Sequence, residues 1–269
     1  MRPLKMHLVD SHCHLDFEQF DEDREAILSH CKQLGIRQII VPGVTACSWS
    51  NLISICQTSD MLYPALGLHP LFMDKHQPEH IVQLKKLAKD HAVAIGEIGL
   101  DFYIKDHDKT AQIHLLCEQL HTAITIDLPV ILHVRKAHDQ VIDLLKQFPV
   151  KGGIVHAFSG SLQQAQYYIK AGFFLGVGGA ITHIRASRLR QLFSELPLSS
   201  LVLETDAPDM PLAGMKAQRN TPENILAILT SLAEIRTESK QEIATATTNN
   251  CRRLFPALKL ERSIEINHE

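Results

Sequence analysis

The sequence predicts an α/β fold, a single-domain TIM-type (β/α)8 barrel, and three observations lead there. Short β-branched runs recur eight times, each followed by a segment of helical period, and strands alternating with helices imply a parallel sheet. The length of 269 residues suits one barrel, which needs about 250. Side chains able to bind a metal fall at the carboxyl ends of the first and last strands alike. In an open sheet those two strands seldom converge on one point, whereas a closed barrel collects them at one mouth.

Taken in order, the strands are expected near 7–11, 37–42, 62–67, 92–97, 129–133, 153–157, 173–177 and 201–205. Helices fill the intervals. After the fourth strand, Ile113, Leu116, Cys117, Leu120 and Ile124 share one helical face, with Gln112, Glu118 and Gln119 turned away. Leu162, Ala165, Tyr168 and Ile169 repeat the stripe after the sixth. Thr221 followed by Pro222 reads as an N-cap with proline at the first helical position. No Gly/Ser/Pro-rich linker, repeat or change of composition divides the chain. Residues 1–257 therefore form one barrel, and 258–269 a polar tail.

Composition excludes several classes. With 45% apolar and 21% charged residues the chain is neither disordered nor membrane-like, and no apolar run approaches the roughly 18 residues of a spanning helix. Met1 to His7 lacks the apolar core of a signal peptide, so a cytoplasmic protein is expected. Cys13, Cys31, Cys47, Cys56, Cys117 and Cys251 form no CxxC pair, which points to reduced thiols. A net charge of −3 argues against bulk electrostatic capture of nucleic acid, so a polynucleotide would have to be held locally. Nothing calls for an obligate protein partner.

The chemistry concentrates in residues at predicted strand ends. His12 and His14 are two apart, which in an extended segment turns both imidazoles to one side and Cys13 to the other. Glu97 sits between Gly96 and Gly99, where a carboxylate is either a solvated loop acid or a bridge between two ions. Two-metal hydrolases need such an anionic bridge to hold cations about 3.5–4 Å apart. His133 and His156 end the fifth and sixth strands; either alone would read as a satisfied core histidine, but as a pair beside Glu97 they read as ligands. Asp206, after the eighth strand, can bind metal and also take the proton of an attacking water.

These segments resemble the TatD family of metal-dependent deoxyribonucleases and hydrolases, a branch of the amidohydrolase-like barrels. The resemblance lies in Asp10 through Asp16, Gly67-Leu68-His69-Pro70, Gly96 through Asp101, Leu128 through His133 with Arg135, His156 through Gly160, and Glu204 through Pro208. A nearer likeness, to the YjjV-type bacterial members, lies in Gly176-Val177-Gly178-Gly179 and Asp206 through Leu212. It implies that His12, His14, Glu97 and Asp206 hold one divalent ion, and Glu97, His133 and His156 a second. It also implies a DNase, some relatives being 3′ exonucleases. Val134 departs from the small polar residue common in relatives. The ions could be magnesium, manganese or zinc, since imidazoles suit zinc and carboxylates suit magnesium.

Other residues keep two readings. Arg135 clamps a phosphate or pairs with an acid on its helix. His69 contacts substrate or braces the Pro70 turn, and Asp101 orients backbone or a ligand histidine. Arg185, Arg188 and Arg190 read as a solvated helix face, and His76, His80, His114 and His121 as surface residues. Two rivals to the nuclease remain: a hydrolase of a small amide, ester or lactone on the same barrel, and a metal-dependent binding protein without turnover.

Overall fold

The computed structural model describes residues 6–104, 108–215 and 218–258. Eight strands lie side by side in chain order, every adjacent pair parallel: β1 (Leu8–Asp10), β2 (Ile36–Pro42), β3 (Leu62–Leu66), β4 (Ala94–Asp101), β5 (Val130–Arg135), β6 (Gly153–Val155), β7 (Phe173–Val177) and β8 (Leu201–Leu203). The sheet closes without a regular ladder between β8 and β1. Ser11 N–H instead donates to Leu203 O at 2.9 Å, Asp206 N–H to His12 O at 2.8 Å, and the Asp10 carboxylate accepts from Thr205 N–H and hydroxyl at 3.0 and 2.6 Å. The expected barrel is the observed one.

The helices are α1 (Arg24–Leu34), α2 (Trp49–Gln57), α3 (Glu79–His91), α4 (Lys109–Thr125), α5 (His138–Gln147), α6 (Leu162–Lys170), α7 (Ser187–Glu195), α8 (Ile225–Ala233) and α9 (Lys240–Leu254). They surround the sheet, and the larger core lies between the two layers. A second apolar cluster takes one residue from each strand, namely Val9, Ile40, Ala65, Ala94, Ile131, Ile154, Phe174 and Val202. This is the barrel interior, filled as a core rather than left as a pore. Cys251, Leu254, Phe255 and Leu258 cap it from the end of α9. Asn250 fastens that helix by donating to Leu198 O and Leu201 O at 3.0 and 2.7 Å, and Thr248 by donating to His7 O at 2.7 Å.

Four expectations are corrected. In α4 the period is right but the stripe is rotated: Gln112 and Gln119 are buried with Leu116, Leu120 and Ala123, while Ile124 is exposed. The cause is polar work done from the packing face. Gln119 accepts from Leu68 N–H and donates to Leu68 O at 2.8 and 3.0 Å, and Gln112 does the same for Asp101 at 2.9 and 3.3 Å. In the stripe of α6, Ala165 and Tyr168 are buried but Leu162 is exposed. Pro222 opens a short 3-10 turn, Pro222–Asn224, before α8 starts at Ile225, and Thr221 makes no side-chain cap. Leu258, expected to begin the tail, is buried in the interior cap, and 259–269 lie outside the described residues.

Candidate metal centre

β1 delivers His12 and His14 into the mouth of the barrel. His12 N–H donates to the Asp10 carboxylate at 3.2 Å, so the side chain that closes the barrel also fixes the start of this segment. Burial pushes the Asp10 carboxyl up to about 8, against the lowering pull of its hydrogen bonds from Thr205 and His12. His14 Nδ1 donates to Pro42 O, at the end of β2, at 3.1 Å, which leaves Nε2 turned into the mouth. His12 Nε2 and His14 Nε2 stand 3.3 Å apart.

Glu97 is the hub. It was expected at a strand end, but β4 runs on to Asp101 and Glu97 lies inside it, within a register shift between Ile95 and Ile98. Such an irregularity re-aims a side chain, here into the mouth. Gly67 makes the approach possible, since a Cβ there would meet Glu97 O at 2.6 Å. The two carboxylate oxygens face different partners. Oε2 lies 3.1 and 3.5 Å from Nε2 of His12 and His14, while Oε1 lies 3.2 Å from His69 Nε2 and 3.0 Å from His133 Nδ1. Burial would protonate the acid, but His69, His12 and His133 around it hold it well below the usual carboxylate range.

His69, at the start of the Pro70 turn, fulfils its structural reading and adds a contact to Glu97. Leu71 N–H donates to its Nδ1 at 3.0 Å, so a neutral ring carries its proton on Nε2 and donates it to Glu97. Burial lowers His69 to about 4, which keeps the ring neutral. On β5, His133 Nε2 lies 3.1 Å from Asp101 Oδ2, the orienting contact expected of Asp101. Arg135 is on the same strand, not on a helix, and the acid it faces is Asp101, at 4.0 Å.

His156 follows β6 and stacks on His12, ring centroids 3.7 Å apart. Its Nδ1 is 3.0 Å from Glu204 Oε1 and its Nε2 3.6 Å from Asp206 Oδ2. Asp206 Oδ1 lies 3.5 and 3.6 Å from Nε2 of His12 and His14. Burial works against charge on this group, but His156, His12 and His14 keep Asp206 ionised below its ordinary range. Glu204 and Asp206 in turn raise His156 despite its burial. His14 is lifted to about 9, Glu97 and Asp206 outweighing burial. Among the described residues, donor atoms approach within 4.8 Å in three groups: His12 with His14 and Glu97, His12 with His156 and Asp206, and His69 with Glu97 and His133. His156 thus stands with His12 and Asp206, not with Glu97 and His133 as expected. A buried set of imidazoles around two carboxylates suits a divalent cation, which takes the place of the protons those rings otherwise hold.

The mouth opens on a cavity of about 440 Å³ bordered by His14, His69, Glu97, His133, His156, Asp206 and Arg135, with an apolar wall of Phe158, Leu189, Phe193 and Met210. Sequence reasoning missed Glu204, although it sits two residues before Asp206. Glu204 is fully buried, accepts from Ala157 N–H at 2.6 Å, and fits only because residue 176 is glycine, where a Cβ would meet Glu204 Oε2 at 2.3 Å. Of the arginine trio, Arg185 precedes α7, Arg185 and Arg188 are exposed, and Arg190 is half-buried on Ile181 O. His76, expected at the surface, is half-buried and donates to His69 O at 2.9 Å. The described cysteines are all free thiols, and no helix of the described residues is long and apolar enough to cross a membrane.

A family model described as TatD related DNase matches residues 9–256. The chain is 45% identical over 251 residues to an uncharacterized metal-dependent hydrolase of Escherichia coli, YjjV, covering 92% of this chain and 97% of that protein. The crystal structure of YjjV superposes with a TM-score of 0.91 at 44% identity, over 94% of this chain and 99% of that one. The chain is also 31% identical over 273 residues to human deoxyribonuclease TATDN3, covering 96% and 98% of the two. A 3′-5′ ssDNA/RNA exonuclease, TatD of Erwinia tasmaniensis, is 31% identical over 257 residues, 92% of this chain and 99% of that protein.

Proposed function

This chain belongs to the TatD-related DNase family of metal-dependent hydrolases acting on ester bonds, and from that premise we propose that it is a deoxyribonuclease cleaving phosphodiesters with two divalent ions. The observation that carries the reading is the division of Glu97, one carboxylate oxygen toward His12 and His14 and the other toward His133. A carboxylate so divided would supply the anionic bridge a two-metal site requires.

His12, His14, Glu97 and Asp206 would hold one ion and Glu97 and His133 the other, with His156 standing beside His12 and Asp206. Two of these rings are fixed by a hydrogen bond at the far nitrogen, His14 by Pro42 O and His133 by Asp101, while His156 Nδ1 lies at ion-pair distance from Glu204. Fixing that nitrogen sets the tautomer and directs the other one inward. His69 is left out of the ligand set because its Nε2 carries a proton given to Glu97; it positions the bridge. Bound divalent ions would lower the pKa of water and offset charge developing on the phosphate. Asp206, ionised and bordering the cavity, takes the proton of the attacking water at its carboxylate.

The test is a substrate panel of single-stranded DNA with simple amides, esters and lactones, assayed with added magnesium or manganese. A nuclease shortens the strand and stops when chelator is added. Turnover of an amide or lactone with DNA left intact gives the small-molecule hydrolase, and binding without any turnover gives the third reading.

A further inference from the structure

Beside the metal-ligand cluster, at the rim, stands an aromatic and cationic group that the chemistry above does not use. Tyr103 is 53% exposed at the edge of the cavity mouth, beside Arg135. The Arg135 guanidinium lies over its ring at 3.8 Å and the Lys136 ammonium at 4.7 Å. Arg135 borders the cavity, so the group is continuous with the reaction chamber.

The group is held in place from below. Tyr103 N–H donates to Asp101 Oδ1 at 2.9 Å, Phe102 N–H to Arg135 O at 2.9 Å, and Gln112 grips the Asp101 backbone from both sides. The same Asp101 orients His133 through its other oxygen. One buried carboxylate therefore sets both the ring at the rim and a ligand histidine. Lys136 has φ +53°, a left-handed conformation unfavourable for a residue with a Cβ, and such strain persists where the surroundings impose it.

We propose that Tyr103, Arg135 and Lys136 form a subsite for the nucleotide next to the scissile phosphate, in an unpaired strand. The neighbouring phosphate lies against the two cations and its base on the exposed part of the Tyr103 ring. An aromatic ring beside cations is how single strands are held without sequence preference, because every base has a π-face. It also supplies the local grip that a chain of net charge −3 needs. The proposal rests on the nuclease reading and adds to it a length requirement, at least one phosphodiester beyond the one cleaved.

The experiment uses a fluorescent single-stranded hexanucleotide, with manganese, in two formats. In steady-state cleavage, Tyr103→Ala is expected to raise KM about tenfold with kcat little changed, and Tyr103→Phe, which keeps the ring, to restore KM. In anisotropy titrations on an Asp206→Asn background, Arg135→Ala is expected to weaken binding and to flatten the dependence of log affinity on log salt by about 0.7, the loss of one phosphate contact on a single strand. If Tyr103→Ala and Arg135→Ala bind and cleave the hexanucleotide like a DNA-cleaving parent, the subsite is wrong and the nuclease reading stands. If the parent neither binds nor cleaves DNA, both fall together.

Discussion

The two ends of the barrel are built on opposite principles. At one end Cys251, Leu254, Phe255 and Leu258 close a dry interior to which each strand gives one apolar residue. At the other, His12, His14, His69, Glu97 and His156 are buried polar groups in mutual contact, and His12 Nδ1, His156 Nδ1 and Glu204 Oε2 are buried without a hydrogen-bond partner among the described residues. Ala157, Asp206 and Lys136, all just past strand ends at the mouth, have positive φ. The capped end gains stability from burial, while the mouth holds charge and strain that cost stability and serve chemistry. The division predicts that mutations at the two ends separate stability from function.

The largest effect belongs to Asp206→Asn. Removing the proton acceptor is expected to lower DNA cleavage between about a hundredfold and ten-thousandfold, with the thermal midpoint nearly unchanged. A variant as active as the parent removes Asp206 from the chemistry. Next comes Phe255→Ala in the cap, expected to cost about 3–5 kcal/mol in urea unfolding while metal stoichiometry of the folded protein stays as in the parent. Loss of metal at low temperature, with little change in stability, would erase the distinction between the ends.

Glu204→Gln probes the support beneath the mouth. Metal affinity measured calorimetrically should fall about 10–100-fold, because Nδ1 of His156 loses its anionic partner. Unchanged affinity would make Glu204 a merely structural acid. The smallest effect is expected of Gln119→Leu, where Leu68 N–H and O lose their partners and stability drops by about 1–2 kcal/mol. A neutral or stabilising result would mean that this buried amide contributes only packing.

How much could be read from the sequence follows the same division. The strands were legible because apolar runs of β-branched residues have one period and one reason to be buried. The residues gathered at the mouth were legible because a barrel brings strand ends together, so His12, His133, His156 and Asp206 had to approach one another once eight strands were counted. Gln112 and Gln119 were misread as solvent-facing because polarity, the only signal available, says nothing about a backbone partner 51 residues away in the case of Gln119 and Leu68. Glu204 was hidden by the same limit, although its spacing from Asp206 was a usable clue. The position of Glu97 inside β4 depends on a register shift relative to β5, which composition does not encode. The closing contribution of α9 was also unread, since its buried face is largely Ala, Thr, Asn and Cys rather than an apolar stripe.

The central claim is that Glu97 joins two cations. Anomalous diffraction from manganese-soaked crystals tests it most directly. The account predicts two peaks about 3.5–4 Å apart with one Glu97 oxygen on each. A single peak, or two peaks that Glu97 does not touch, would contradict it.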